Sequence, residues 1–277
     1  MTKRDLFDHL HELQRKIKEA DLLALLLDYD GTLVPFQDNP EEAVATNDLR
    51  RVLRALSRSP RCKVAIVSSR HLQSLKRALD VDGLTLAGLL GIQMESPDGN
   101  KFVWEPAREL KPVLDKIKQK TVQELEGEEG VHIEDKEYIL ALHYRLPRES
   151  VETATQRFID VKESLDVGDG LEIIRAIPGY HPWKPSPAEV LEIRPRGWNK
   201  GDAVREILSR LKDKGTLPLY FGDDETDEDA FSYLKDLGVT VRVSGDLNKA
   251  TAANYSLRDH REVYRFLCWI LKSIRRS

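Results

Sequence analysis

Leu6, Phe7, Leu10, Leu13 and Ile17 recur at helical spacing among charged residues, which predicts an amphipathic helix. Leu22 to Leu27 is instead an unbroken apolar run that ends at Asp28 and Gly31. A short run of this kind reads as a strand buried on both faces, as in a parallel sheet. Asn47 to Leu56 returns to helical spacing, with Leu49, Val52, Leu53 and Leu56 on one face. Lys63 to Val67 is a second buried strand, His71 to Leu79 a helix, and Leu84 to Leu86 a short strand. This alternation predicts an α/β core, a parallel sheet with helices on both faces.

The pattern changes in the middle of the chain. Glu109 to Leu125 and Val151 to Leu165 read as helices. Val131 to Glu134 and Tyr138 to Leu146 read as strands around an Asp135-Lys136 turn, and Leu171 to Ile177 and Val190 to Ile193 as a second strand pair. Helix, two strands, helix, two strands is an α+β unit with an antiparallel sheet, placed at residues 107–196. The proline-rich stretch Ile177 to Pro187 reads as a long hairpin loop. The first pattern then returns, with helices at Asp202 to Leu211, Asp227 to Leu237 and Arg261 to Ile274. Strands at Leu217 to Phe221 and Val239 to Val243 alternate with them. The expected architecture is an α/β core at residues 1–106 and 197–277, interrupted by an inserted α+β domain.

Composition narrows the class. The chain has 277 residues, 40% of them hydrophobic, enough for a sizeable core in one or two domains. Charged residues make up 32% with both signs interspersed, and the formal net charge of -4 gives no electrostatic case for nucleic acid. Arg275 and Arg276 read as a solvated helix end. Two distant cysteines, Cys62 and Cys268, form no CxxC pair and fit a reducing compartment. No apolar stretch at the N-terminus suits a signal peptide, and Leu22 to Leu27 is too short to span a bilayer. A soluble cytoplasmic protein with no membrane partner is the expectation.

Four polar clusters fall at strand ends or helix starts, where α/β sheets place their sites. Asp28-Tyr29-Asp30-Gly31-Thr32 follows the first strand. One carboxylate there can attack phosphorus, and a second can protonate a leaving oxygen and then activate water. Two loop aspartates capping a turn would read the same. Ser68-Ser69-Arg70 after the second strand makes a candidate anion and substrate site, or a simple helix cap. Lys200 before a helix can neutralise phosphate charge, though alone it is an ordinary surface lysine. Gly222-Asp223-Asp224-Glu225-Thr226-Asp227-Glu228-Asp229 follows a buried strand, and its carboxylates suit Mg²⁺. A solvated acidic turn is the competing reading, weakened by Phe221 and Ala230-Phe231 on either side.

These clusters, in this order, resemble the four motifs of the haloacid dehalogenase superfamily. The resemblance is closer to its trehalose-6-phosphate phosphatase branch. It rests on Asp28 to Leu33, Glu134-Asp135-Lys136, Leu142-His143-Tyr144-Arg145, Leu191 to Pro195 and Gly222 to Glu228. It implies a Rossmann-like core with an inserted cap that closes over a sugar phosphate. It implies Asp28 as nucleophile and Mg²⁺ ligand, and Asp30 as general acid/base that binds the ion through its backbone carbonyl. Asp223 would be the third protein ligand, supported by Asp224 and Asp227, while Ser68 and Lys200 hold the phosphoryl oxygens. Glu134, Lys136, Arg145 and Glu192 match positions that hydrogen-bond the sugar, although the same residues would also read as a cross-strand charge pattern.

The chain departs from the family pattern at several places. Ser69 stands where a glycine is common, Leu90-Gly91 and Gln93 where His-Gly and a glutamate are common, and a lysine usual near Ala188 is missing. The loop from Pro178 to Pro187, with Tyr180, His181, Trp183 and Lys184, is longer than usual. Hydrolysis of trehalose-6-phosphate is the leading expectation. Another glycosyl phosphate, such as glucosylglycerol phosphate or sucrose phosphate, a silent sugar-phosphate sensor and a phosphotransferase stay open, as does a synthase partner.

Overall fold

A computed structural model describes residues 4–37, 40–125, 131–144, 148–165, 168–176, 189–211, 215–246 and 250–275. The loop 178–187, Ala188 and Arg145 lie outside them. The chain divides into two compact units, Met1–Phe102 with Asn199–Ser277, and Val103–Trp198.

The first unit opens with β1 (Arg4–Asp5), a 3-10 turn at Leu6–His9 and α1 (Leu10–Glu19). The single helix expected from Leu6 is thus split, because the Asp5 side chain accepts from Phe7 N at 2.9 Å and starts a tighter turn. Next come β2 (Leu22–Leu27), α2 (Asn47–Ser57), β3 (Cys62–Val67), α3 (Leu72–Leu79) and β4 (Thr85–Gly88). Two short strands end this segment, β5 (Gln93–Glu95) and β6 (Lys101–Val103). Every residue of β2 is buried, as its unbroken apolar run requires. Thr46 Oγ1 accepts from Leu49 N at 3.2 Å and so caps α2.

The second unit contains α4 (Glu105–Leu125), β7 (Val131–Asp135), β8 (Leu140–Tyr144), α5 (Arg148–Glu163), β9 (Leu171–Ala176) and β10 (Glu189–Pro195). Its strands form an antiparallel sheet in the order β7-β8-β10-β9. Alternation divides the sheet into two faces. Leu140, Leu142, Leu191 and Ile193 pack with Leu114, Ile117 and Phe158 of the two helices in one core. Ala141, His143 and Glu192 take the opposite face. The predicted turn is present, with Lys136 N donating to Ile139 O at 2.9 Å and Glu137 at φ 69°.

The first unit resumes with α6 (Lys200–Leu211), β11 (Thr216–Gly222), α7 (Glu228–Leu234), β12 (Val239–Val243), β13 (Tyr255–Leu257) and α8 (His260–Arg275). Its sheet runs β1-β13-β12-β11-β2-β3-β4-β5-β6. The pairs from β1 through β4 are parallel, and β5 turns back antiparallel to β4. The α/β class expected from the sequence is therefore correct, with an antiparallel margin added. The sequence pattern missed β1, β5, β6 and β13. At the centre, Leu25 lies opposite Leu219 on one side and Val64 on the other. That register brings the carboxyl ends of β2, β3 and β11 together. No described helix is long and apolar enough to cross a membrane.

Candidate active site

The end of β2 is tied to its neighbour, since Asp28 N donates to Phe221 O at 2.9 Å. Asp28 itself is only 5% exposed. The chain then leaves the sheet in a tight turn, in which Gly31 N donates to Val34 O at 2.9 Å. Gly31 has φ +78°, and a Cβ there would lie 2.1 Å from Asp223 Oδ2. A glycine is needed both for this conformation and for the close approach of the acidic loop. Thr32 Oγ1 donates to Asp223 Oδ1 at 3.2 Å, joining the two loops.

Lys200, the first residue of α6, is 1% exposed. Taken alone it would read as a surface lysine; the fold buries it between carboxylates, beside the aspartates with which the resemblance grouped it. Nζ donates to Asp28 Oδ1 at 2.8 Å and to Asp227 Oδ1 at 2.7 Å, and lies 3.9 Å from Asp224. Burial alone would lower the lysine pKa, but Asp227 and Asp28 hold it well above the usual value, so the ammonium stays charged. Asp227 is fully buried and accepts four hydrogen bonds. They come from Lys200 and Tyr220 OH (2.7 Å) on Oδ1, and from Asp223 N (2.9 Å) and Asp224 N (3.0 Å) on Oδ2.

The cluster carries more negative than positive charge. Burial pushes the Asp28 carboxyl well up, against the pull of Lys200. Burial, together with Asp227 and Asp224, raises Asp223 to about 7. Burial raises Asp227 to about 8, again against Lys200. Burial would also raise Asp224, but Lys200 and hydrogen bonds from Thr226 hold it below the usual range. Among the described residues, Asp28, Asp223 and Asp227 form the cluster whose carboxylate oxygens lie within 4.8 Å of one another. The four donors already on Asp227 leave Asp28 and Asp223 as the pair with oxygen to offer. Two hard, under-neutralised carboxylates suit a small divalent cation such as Mg²⁺, which takes few protein ligands and keeps its waters.

Ser68 and Arg70 follow β3. Ser68 is 1% exposed, and its Oγ accepts from Arg70 N at 3.2 Å, as a cap does. Arg70 Nε and Nη2 make a two-pronged pair with Asp30 at 2.6 Å each, and the guanidinium lies 4.9 Å over the Tyr29 ring. Arg70 is thus placed first against Asp30, and its buried Nη1 is the donor of the three left without a partner among the described residues. The Ser68 and Arg70 carbonyls accept from Leu90 N (2.9 Å) and Leu89 N (2.8 Å), both residues at positive φ (59° and 53°).

In the second unit, Lys136 Nζ lies 3.0 Å from Glu192 Oε1 and 3.6 Å from Glu134 Oε2, so three of the four expected sugar-binding residues converge. His143, quoted from sequence only as part of the block Leu142 to Arg145 and given no role there, contacts Glu134 Oε2 at 2.8 Å. Burial would raise Glu134, but His143 and Lys136 hold it below its usual value. Burial would lower Lys136, but Glu192 and Glu134 raise it. Sequence reasoning also passed over Tyr220 and Arg242, and gave Thr32 no role of its own within its cluster. For Arg242 a signal existed, since it is a charged residue in the otherwise uncharged strand Val239–Val243.

Solved structures share this fold. A haloacid dehalogenase-like hydrolase from Bacteroides thetaiotaomicron has the same fold, with a TM-score of 0.59 at 16% identity, over 90% of this chain and 99% of that one. The Candida albicans trehalose-6-phosphate phosphatase C-terminal domain matches with a TM-score of 0.75 at 24% identity, over 98% of each chain. The chain therefore has the fold of the haloacid dehalogenase-like hydrolases. Within that class the chain belongs to the trehalose-phosphatase family, whose model matches residues 26–175 and 186–261. It is 33% identical over 261 residues to probable trehalose-phosphate phosphatase D of Arabidopsis thaliana, covering 88% of this chain and 66% of the relative. It is 30% identical over 262 residues to trehalose 6-phosphate phosphatase RA3 of Zea mays, covering 88% and 68%. The chain thus spans about two thirds of these relatives' length.

Proposed function

We propose that this chain is a Mg²⁺-dependent phosphatase that hydrolyses trehalose-6-phosphate through an aspartyl-phosphate on Asp28. The observation that carries the reading is the buried Lys200 ammonium clamped between Asp28 and Asp227, beside the under-neutralised Asp223. The relatives named for this substrate support the choice of sugar.

Lys200 fixes one oxygen of Asp28, which orients the carboxylate at the end of β2. Asp28 attacks phosphorus, the bond from phosphorus to the sugar oxygen breaks, and Asp30 gives that oxygen a proton. Asp30 then takes a proton from water, the water oxygen attacks phosphorus, and the bond to Asp28 breaks to release phosphate. Asp30 must therefore loosen its pair with Arg70 to reach the reacting oxygens. The charged Lys200 offsets the negative phosphoryl group, with Ser68 Oγ and Arg70 Nη1 as further donors. Asp28, Asp223 and the Asp30 carbonyl would hold Mg²⁺, which would supply the charge that lets a carboxylate approach a phosphate. The second unit serves as the cap that reads the sugar, through Glu134, Lys136, Glu192 and Arg145. Two free cysteines support a reducing, cytoplasmic setting.

The test is phosphate release from a panel of sugar phosphates, with Mg²⁺ and with chelator. Preferred, chelator-sensitive turnover of trehalose-6-phosphate is expected. No release from it by the Mg²⁺-loaded protein would sink the reading. A second reading, the same chemistry on another glycosyl phosphate, is favoured by the apolar Leu90 fastened to Ser68, and preference elsewhere in the panel would select it.

A further inference from the structure

The cation that holds the acidic loop in shape is none of the residues assigned to the chemistry. Arg242 sits near the carboxyl end of β12 and is 2% exposed. Its Nη2 donates to the Asp223 backbone carbonyl at 2.7 Å, and its Nη1 to the Asp224 carbonyl at 3.4 Å and Glu228 Oε1 at 2.6 Å. The peptide between Asp223 and Asp224 is therefore gripped from both polar sides. Arg242 holds its carbonyl, and Asp227 Oδ2 holds its N–H at 3.0 Å. A peptide is planar, so holding both edges fixes the rotation on each side of it. The direction in which the Asp223 side chain leaves the loop is fixed with it.

The clamp is itself braced. Glu228 Oε1 also accepts from Thr251 Oγ1 at 2.6 Å, and Glu228 Oε2 from Ala252 N at 2.8 Å, so the carboxylate that anchors the guanidinium is fixed from its far side. A buried guanidinium whose Nε has no partner among the described residues is expensive to keep. A planar fork can reach two adjacent carbonyls and a carboxylate together, and a lysine cannot.

We propose that Arg242 is a positioning residue for the divalent-cation site, aiming the Asp223 carboxylate at Asp28 by holding the peptide between Asp223 and Asp224. This rests on the assignment of the acidic cluster to Mg²⁺. The test uses the full chain with Arg242→Met and Arg242→Lys, in two measurements. Amide hydrogen exchange over residues 222–228 is followed without metal, and Mn²⁺ binding is titrated by electron paramagnetic resonance. In Arg242→Met, exchange in this segment should quicken while β2 keeps its protection, and Mn²⁺ affinity should fall about 10–100-fold, the range for groups that orient metal ligands. Arg242→Lys keeps the charge but loses the fork, and should show the same two changes in smaller measure. If Arg242→Met does not fold, Arg242→Lys decides. Unchanged exchange, or faster exchange with unchanged Mn²⁺ affinity, overturns the proposal. A wild-type protein that binds no Mn²⁺ overturns the Mg²⁺ assignment as well, which separates the two failures.

Discussion

At the scale of single residues, chemistry here depends on which charges are left under-neutralised. Asp227 and Lys200 satisfy each other, while Asp28 and Asp223 share one cation too few. Asp28→Asn should lower turnover on the order of 10⁴-fold, the scale of losing one member of a concerted catalytic group. Its amide oxygen can still accept from Lys200, so the fold should remain; circular dichroism and a phosphate assay on the same preparation check both. Near-normal turnover would mean that another residue is the nucleophile. Much of the site was legible in sequence because Asp28, Asp30, Lys200 and Asp223 each stand at an element end. What was not legible is how they pair. Nothing local says that Arg70 clasps Asp30, or that Lys200 is buried, because both contacts join segments far apart in the chain.

At the scale of elements, the sheet positions the site and its long central strands were the easiest to read. β2 announces itself by a continuous apolar run, and β3 by the shorter run Val64 to Val67 after the exposed Lys63. β1, β5, β6 and β13 have two or three residues each and carry no periodicity to detect; pairing with neighbours, not propensity, makes them strands. Leu25, fully buried between β11 and β3, measures what the centre contributes. Leu25→Ala should destabilise the protein by about 3–5 kcal/mol through lost burial and an unfilled cavity. Urea unfolding checks this, and a loss below about 1 kcal/mol would show that the centre of the sheet repacks freely.

At the scale of the whole molecule, two cores divide the work proposed for them. The core unit carries the phosphoryl chemistry, and the inserted unit presents Lys136 between Glu192 and Glu134. Lys136→Ala should therefore cut kcat/KM for trehalose-6-phosphate by roughly 10–100-fold, the weight of a hydrogen bond to a charged group. A small aryl phosphate, with no hydroxyls to engage, should lose far less, and equal losses on both substrates would refute the division. The interrupted core has a further consequence during synthesis. Lys200 and Asp28 are separated by 172 residues. At about 5–20 residues per second, the ribosome needs on the order of 10–30 s to bring the second half of the site after the first. Through that interval the all-leucine-and-alanine edge of β2 waits for β11 with its backbone unpaired, an exposed strand edge in the half-made chain, and the two halves of the site meet only once α6 and β11 have been made.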